Sequence, residues 1–122
     1  MISGTVTNAL EAVVRLRVHG PTGAADIDAV VDTGYDGFLA LPPDVVARLG
    51  LPRQSSVRVV YADGSHSWCG IYTAEVEWDG VLMDTSVTAV GGDPLLGMGL
   101  LYGHDLHVQA VPGGVVEIRP TP

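Results

Sequence analysis

The sequence predicts a small, mostly antiparallel β protein, closed or nearly closed into a barrel, with one or two short helices. Three observations lead there. Apolar and polar residues alternate with period two, most clearly over residues 12–18, where Val14, Leu16 and Val18 face one way and Arg15 and Arg17 the other. Sixteen glycines and eight prolines in 122 residues break the chain into short segments with many turns. Two-residue turns such as Asp79-Gly80 lie between apolar runs, as hairpins require. The length is that of one domain, residues 1–122, and a chain of this size buries roughly two-thirds of the surface its unfolded form exposes.

The elements follow in order. Residues 12–18 are the first predicted strand. His19-Gly20-Pro21-Thr22-Gly23 turns the chain, and residues 26–31 return, becoming wholly apolar just before Asp32. Residues 38–41 are a further short strand. Residues 42–50 are the best helix candidate, with proline at the start, Asp44 in the first turn and Gly50 after the end. Residues 57–61 and 68–78 pair across the turn Ala62-Asp63-Gly64-Ser65. Asp79-Gly80 leads into residues 81–90. After the loop Gly91-Gly92-Asp93-Pro94, the apolar piece at 95–101 starts a brief helix. Residues 106–111 and 115–118 form a last hairpin, and residues 119–122 are expected to fray.

Charge narrows the functional classes. The net charge is −8, and all six basic residues are arginines scattered at 15, 17, 48, 53, 58 and 119. Nucleic-acid binding needs clustered cations to neutralise phosphates, so it is not expected. No run approaches the roughly 18 apolar residues of a membrane helix, and the first residues lack the pattern of a secretory signal. The single cysteine, Cys69, excludes an intrachain disulfide and fits a reducing compartment, so a cytoplasmic location is expected. Cys69 itself reads as a small buried hydrophobe. His104 and His107 flank Asp105, but their strand spacing argues against a shared metal site, and no metal or cofactor is expected.

The sharpest chemical feature is Asp32-Thr33-Gly34. It lies between two apolar strands, where a carboxylate is costly to hold without a partner or a task. Taken alone, the tripeptide also reads as an ordinary Asp-rich turn. Two further features stand in register with it, the hairpin tip Ala62-Asp63-Gly64-Ser65 and the segment Leu95-Leu96-Gly97 followed by Leu100-Leu101.

With these three elements in this order, nearly the whole chain, from about residue 12 to 118, resembles the retropepsin-like aspartic proteases (clan AA). These are single-lobed relatives of pepsin that include the retroviral enzymes. The stretch at 30–39 followed by Leu41-Pro42 looks like the small prokaryotic members. The resemblance implies an all-β retropepsin-like fold, a single-lobed closed barrel. It also implies an aspartic endopeptidase, with Asp32 catalytic and Thr33 and Gly34 completing the active-site loop. Substrate contact falls to Tyr35, Asp36, the flap residues Tyr61, Asp63, Gly64 and Trp68, and the flanking Leu95, Leu96 and Gly97. Tyr35 departs from the small residue usual in the viral enzymes, so it either shapes a subsite or obstructs one.

Such hydrolysis needs two carboxylates sharing one proton around one water. The chain has one Asp-Thr-Gly; Asp84-Thr85-Ser86 lacks the glycine. The second carboxylate would therefore come from a second copy by two-fold symmetry, making a homodimer acting on a peptide or protein substrate. Residues 115–118 are expected to pair with the partner's terminus. The alternatives are a weakly active or inactive module of the same fold that dimerises or binds peptides, and a plain β-barrel with an accidental tripeptide.

Overall fold

The computed structural model describes residues 1–122. Ten strands and two short helices follow in order: β1 (Ile2–Val6), β2 (Ala12–Gly20), β3 (Gly23–Val31), β4 (Leu39–Leu41), α1 (Pro43–Leu49), β5 (Arg53–Val60), β6 (His66–Trp78), β7 (Val81–Ala89), β8 (Leu95–Leu96), α2 (Met98–Leu101), β9 (His104–Val108) and β10 (Val115–Pro120). Six of them close a ring, β2-β3-β8-β4-β7-β6, sealed by pairing of β6 back onto β2. The expected closed barrel is therefore present. A side leaf continues from β2 through β1 and β10 to β9.

Alternation explains the barrel wall. Val14, Leu16 and Val18 are buried, and Ile27 and Ala29 meet them from β3. On the outer face Arg15 pairs with Asp28 at 2.9 Å and Arg17 with Asp26 at 3.0 Å, each directly opposite in register. A one-residue slip would break both pairs and turn the apolar face outward. α1 forms as its sequence predicts: Pro43 opens it, Gly50 closes it in the left-handed conformation, and Val45, Val46 and Leu49 join the core.

Three expectations need correction. The N-terminal residues, given no strand by the sequence reading, form β1, whose Ile2 and Val6 face inward while Ser3 and Thr5 face out. The tail does not fray at residue 119: β10 runs to Pro120, and Thr121 donates to the Gly103 carbonyl from its N–H at 2.9 Å and its hydroxyl at 3.1 Å. Residues 115–118 cannot pair with a partner's terminus, because β10 is already bonded on one side to β1 and on the other to β9.

β5 and the first part of β6 extend beyond the ring, because β6 meets β7 only from Ile71 onward. Almost all of β5 is exposed. This projecting hairpin stands over the loop that joins β3 to β4.

Candidate active site

The β3–β4 loop, residues 32–38, carries the candidate acid. β8 is inserted between β3 and β4, parallel to the first and antiparallel to the second, so the loop must cross the end of β8. Four backbone hydrogen bonds hold it there. Asp32 N–H donates to the Leu96 carbonyl at 2.9 Å. In return Gly97, Met98 and Gly99 donate to the carbonyls of Phe38, Tyr35 and Gly37 at 2.8–2.9 Å. This close approach needs glycine. A Cβ on Gly97 would lie 2.6 Å from the Tyr35 ring and against the Gly37 carbonyl, and one on Gly99 would lie 2.8 Å from that same oxygen. Leu96 is fully buried beneath the loop. Leu95, Leu96 and Gly97 thus serve as the loop's seat; none of them lines the cleft described below.

Asp32 is partly exposed at the end of β3. One carboxylate oxygen accepts the Gly34 N–H at 2.9 Å, and the Asp32 carbonyl accepts the Tyr35 N–H at 3.2 Å. The turn therefore orients the carboxylate and leaves its other oxygen available. Thr33 and Asp36 are more open than the strands beside them, and Asp36 lines the cleft. The Tyr35 phenol turns inward, lies against Gly37 and Gly97, and donates to the Thr88 hydroxyl at 2.9 Å. Burial raises its pKa above the ordinary value, partly offset by the Thr88 bond. Tyr35 is thus a half-buried part of the cleft wall, anchored to β7.

Between this loop and the β5–β6 hairpin lies a cleft of about 480 Å³. Residues 34–38 form one wall, Val57, Arg58, Val59 and Val60 of β5 the opposite one, and Ile71, Ser86 and Thr88 complete it. Two other hollows lie on the barrel's flank, around His19 and Asp84; neither includes any of residues 32–37. The loop cleft is bounded by residues 34–38 on one side and the hairpin on the other; Asp32 and Thr33 stand next to this wall and do not themselves line the cleft.

The hairpin tip is well built but does not reach the cleft. Asp63 accepts from the Ser65 N–H at 2.9 Å and from its hydroxyl at 2.5 Å, while Gly64 takes φ 86°. Those bonds hold the Asp63 carboxyl below the usual carboxylate range. Tyr61 bonds Ser67 on its own hairpin at 2.7 Å, and Trp68 is 71% exposed. Tyr61, Asp63, Gly64 and Trp68 are therefore not among the cleft residues. From the hairpin side the cleft is lined by Val57, Arg58, Val59, Val60 and Ile71. Their signal in the sequence is an apolar run ahead of the turn, Val57-Arg58-Val59-Val60, which reads equally as a plain strand. Cys69 is buried within the hairpin base, as expected. His104 is held between the Trp78 indole N–H at 3.2 Å and the Tyr102 carbonyl at 3.0 Å.

The sequence matches no protein-family model, and a search of curated proteins finds no match. Among solved structures, the fold is similar to the crystal structure of a retropepsin-like aspartic protease from Rickettsia conorii. The TM-score is 0.55 at 15% sequence identity, over 99% of this chain and 92% of that one. At this identity the likeness establishes a retropepsin-like fold.

Proposed function

We propose that this chain is an aspartic endopeptidase, active as a homodimer in which the Asp32 side chains of two copies form the catalytic dyad. The observation that carries the proposal is the seating of Asp32-Thr33-Gly34. The acid stands on a loop clamped to the Leu96–Gly99 backbone, oriented by the Gly34 N–H, beside a cleft bounded by a projecting hairpin. At about 4 Å and an effective dielectric near 20, two carboxylates repel by about 4 kcal/mol, so the pair holds one shared proton. The ionised member takes a proton from the water, whose oxygen bonds to the scissile carbonyl carbon. The protonated member donates to the carbonyl oxygen. The tetrahedral diol then collapses: the C–N bond breaks, the nitrogen leaves protonated, and the carboxylates return to their starting state. Val57, Val59, Val60 and Ile71 favour apolar side chains around the cut.

A second reading has its own support. β5 is an edge strand of the sheet and lines the cleft, so it can add an extended peptide as a further strand without any hydrolysis. One experiment separates the two. Wild type and Asp32→Asn are incubated with a peptide library over a pH series from acid to neutral, and oligomeric state is measured in the same buffers. The endopeptidase reading expects cleavage by the wild type alone, with both proteins dimeric. Peptide binding without cleavage at every pH would assign the chain to the binding module.

A further inference from the structure

We propose that the open edge of β7 at Leu82 and Asp84 takes up an extended segment of the same peptide whose neighbouring residues fill the cleft. The edge prefers a segment that alternates apolar and basic side chains. This names a substrate class for the site described above and rests on that reading for its role.

β4 runs beside β7 only from Val87 to Ala89. Residues 81–86 have β6 on one side and no strand on the other. Thr73, opposite Ser86, donates its N–H away from β7, to the Pro52 carbonyl at 3.0 Å. Val90 N–H donates to the Leu41 carbonyl on the β4 side, also at 3.0 Å. In β7 the even-numbered residues are therefore the ones whose backbone groups turn away from β6. Leu82 and Asp84 each present an N–H and a C=O to the open side, and none of the loop hydrogen bonds reaches them. Residues 81–86 carry no proline, lysine or bulge, whereas the sheet edge at β5 has a bulge near Arg53 and two arginines.

This edge continues from the cleft. Phe38 and Ser86 line both the cleft and a hollow of about 430 Å³ that also contains Asp84. Thr73 and Asp84 line both that hollow and the next, of about 300 Å³, beside His19 and Glu75. A peptide that leaves the cleft past Ser86 meets Asp84 two residues along β7, about 7 Å further on.

The charges there define the occupant. Glu75 and Asp84 lie directly opposite each other, at a non-hydrogen-bonded pair where side chains come closest. Neither belongs to an ion pair, and His19 beside them turns its Nε2 to Glu77 at 3.3 Å. Two opposed carboxylates repel, so a lysine or arginine set against Asp84 by an added strand relieves that repulsion as it forms its own pair. Its aliphatic stem covers exposed Leu82 on the same face. On the opposite face of β7, Val81 and Met83 are exposed apolar residues. Successive side chains of the added strand point to opposite faces, so basic residues meet Asp84 and the residues between them meet Val81 and Met83.

The test uses fluorescent peptides in which an apolar segment is joined, on either side, to Val-Lys-Val-Lys, Val-Glu-Val-Glu or Gly-Ser-Gly-Ser. Binding is read by anisotropy in an Asp32→Asn background, which spares the peptide, and cleavage is read with wild type. The lysine flank is expected to bind at least about tenfold tighter than the glutamate flank. Asp84→Lys should reverse this preference, a result that misfolding cannot produce. Glu11→Lys makes the same change of net charge at the distant β1–β2 turn and should leave the preference intact. Leu82→Pro deletes an outward N–H, where proline is tolerated, and should weaken binding of the lysine flank about fivefold. Equal effects of Asp84→Lys and Glu11→Lys would reduce the preference to net charge and overturn the proposal. Undiminished binding by Leu82→Pro overturns it as well. Cleavage by wild type with no flank preference overturns it and leaves the endopeptidase standing. The expected preference with no cleavage at any pH supports the β7 edge and sinks the endopeptidase reading.

Discussion

Gly97→Ala is the most direct probe of how the acid-bearing loop is seated. The backbone at Gly97 has φ −96° and ψ 175°, a conformation alanine adopts freely. By the unfolded-state argument alone the change should stabilise the protein by about 0.4–1 kcal/mol. Space decides otherwise. The added methyl would lie 2.6 Å from Cδ2 of Tyr35 and 2.9 Å from its carbonyl oxygen, and against the Gly37 carbonyl, where ordinary contact is 3.4–4 Å. Two of these neighbours are backbone atoms, so the loop has to lift. Overpacking of this kind costs about 1–3 kcal/mol. Weakening the Gly97–Phe38 and Met98–Tyr35 hydrogen bonds adds roughly 1 kcal/mol each. The net loss is about 2–4 kcal/mol. With an unfolding entropy near 2.1 cal/mol/K per residue, 122 residues give about 4 °C per kcal/mol, hence a Tm drop of roughly 8–16 °C. Thermal unfolding followed by circular dichroism reads this, with Gly91→Ala as the control, since nothing lies within 4 Å of a Cβ there. A Gly97→Ala protein as stable as wild type, or more stable, would refute the account of the loop's seat.

Further outcomes are expected at Tyr35 and Asp63. Tyr35→Phe removes the bond to Thr88 and should cost about 1 kcal/mol in urea unfolding. The Tyr35 phenol, raised by burial, should be among the late-titrating tyrosines by ultraviolet absorbance, and that late component should vanish in Tyr35→Phe. Because the folded phenol holds its proton longer than the unfolded one, its share of stability is full below the ordinary tyrosine range and lost as pH rises through the raised value. At the hairpin tip the sign reverses. The Asp63 carboxyl is lowered by the Ser65 hydroxyl and N–H, so the turn it braces should hold above the ordinary carboxylate range and loosen as pH falls through the lowered value. A carboxyl titration by NMR that places Asp63 at or above the ordinary value contradicts this.

Much of the architecture could be read from local pattern. The Val14-Leu16-Val18 alternation, the Pro43 and Gly50 ends of α1, and the Asp63-Gly64 tip each act through neighbours in sequence, and each stands where the pattern placed it. β1 was equally legible in the alternation at Ile2 to Val6 but lacked a flanking turn signal. The cleft was less so. Whether Trp68 or Val57 faces the Asp32 loop depends on how the β5–β6 hairpin twists away from the ring, and alternation distinguishes two faces without saying which one is inward.

The sequence by itself determined where the acid sits and that a glycine pair, Gly97 and Gly99, lies on a short apolar segment after β7, because residue type and order are local properties. Only the tertiary structure decided that this segment inserts between β3 and β4, that Tyr35 turns inward to Thr88, and that β10 is enclosed by β1 and β9, leaving β9 as the free edge. Those outcomes depend on which strands share hydrogen bonds across large separations along the chain. Such pairings follow from packing and ring closure of the whole barrel, and no short window of residues encodes them.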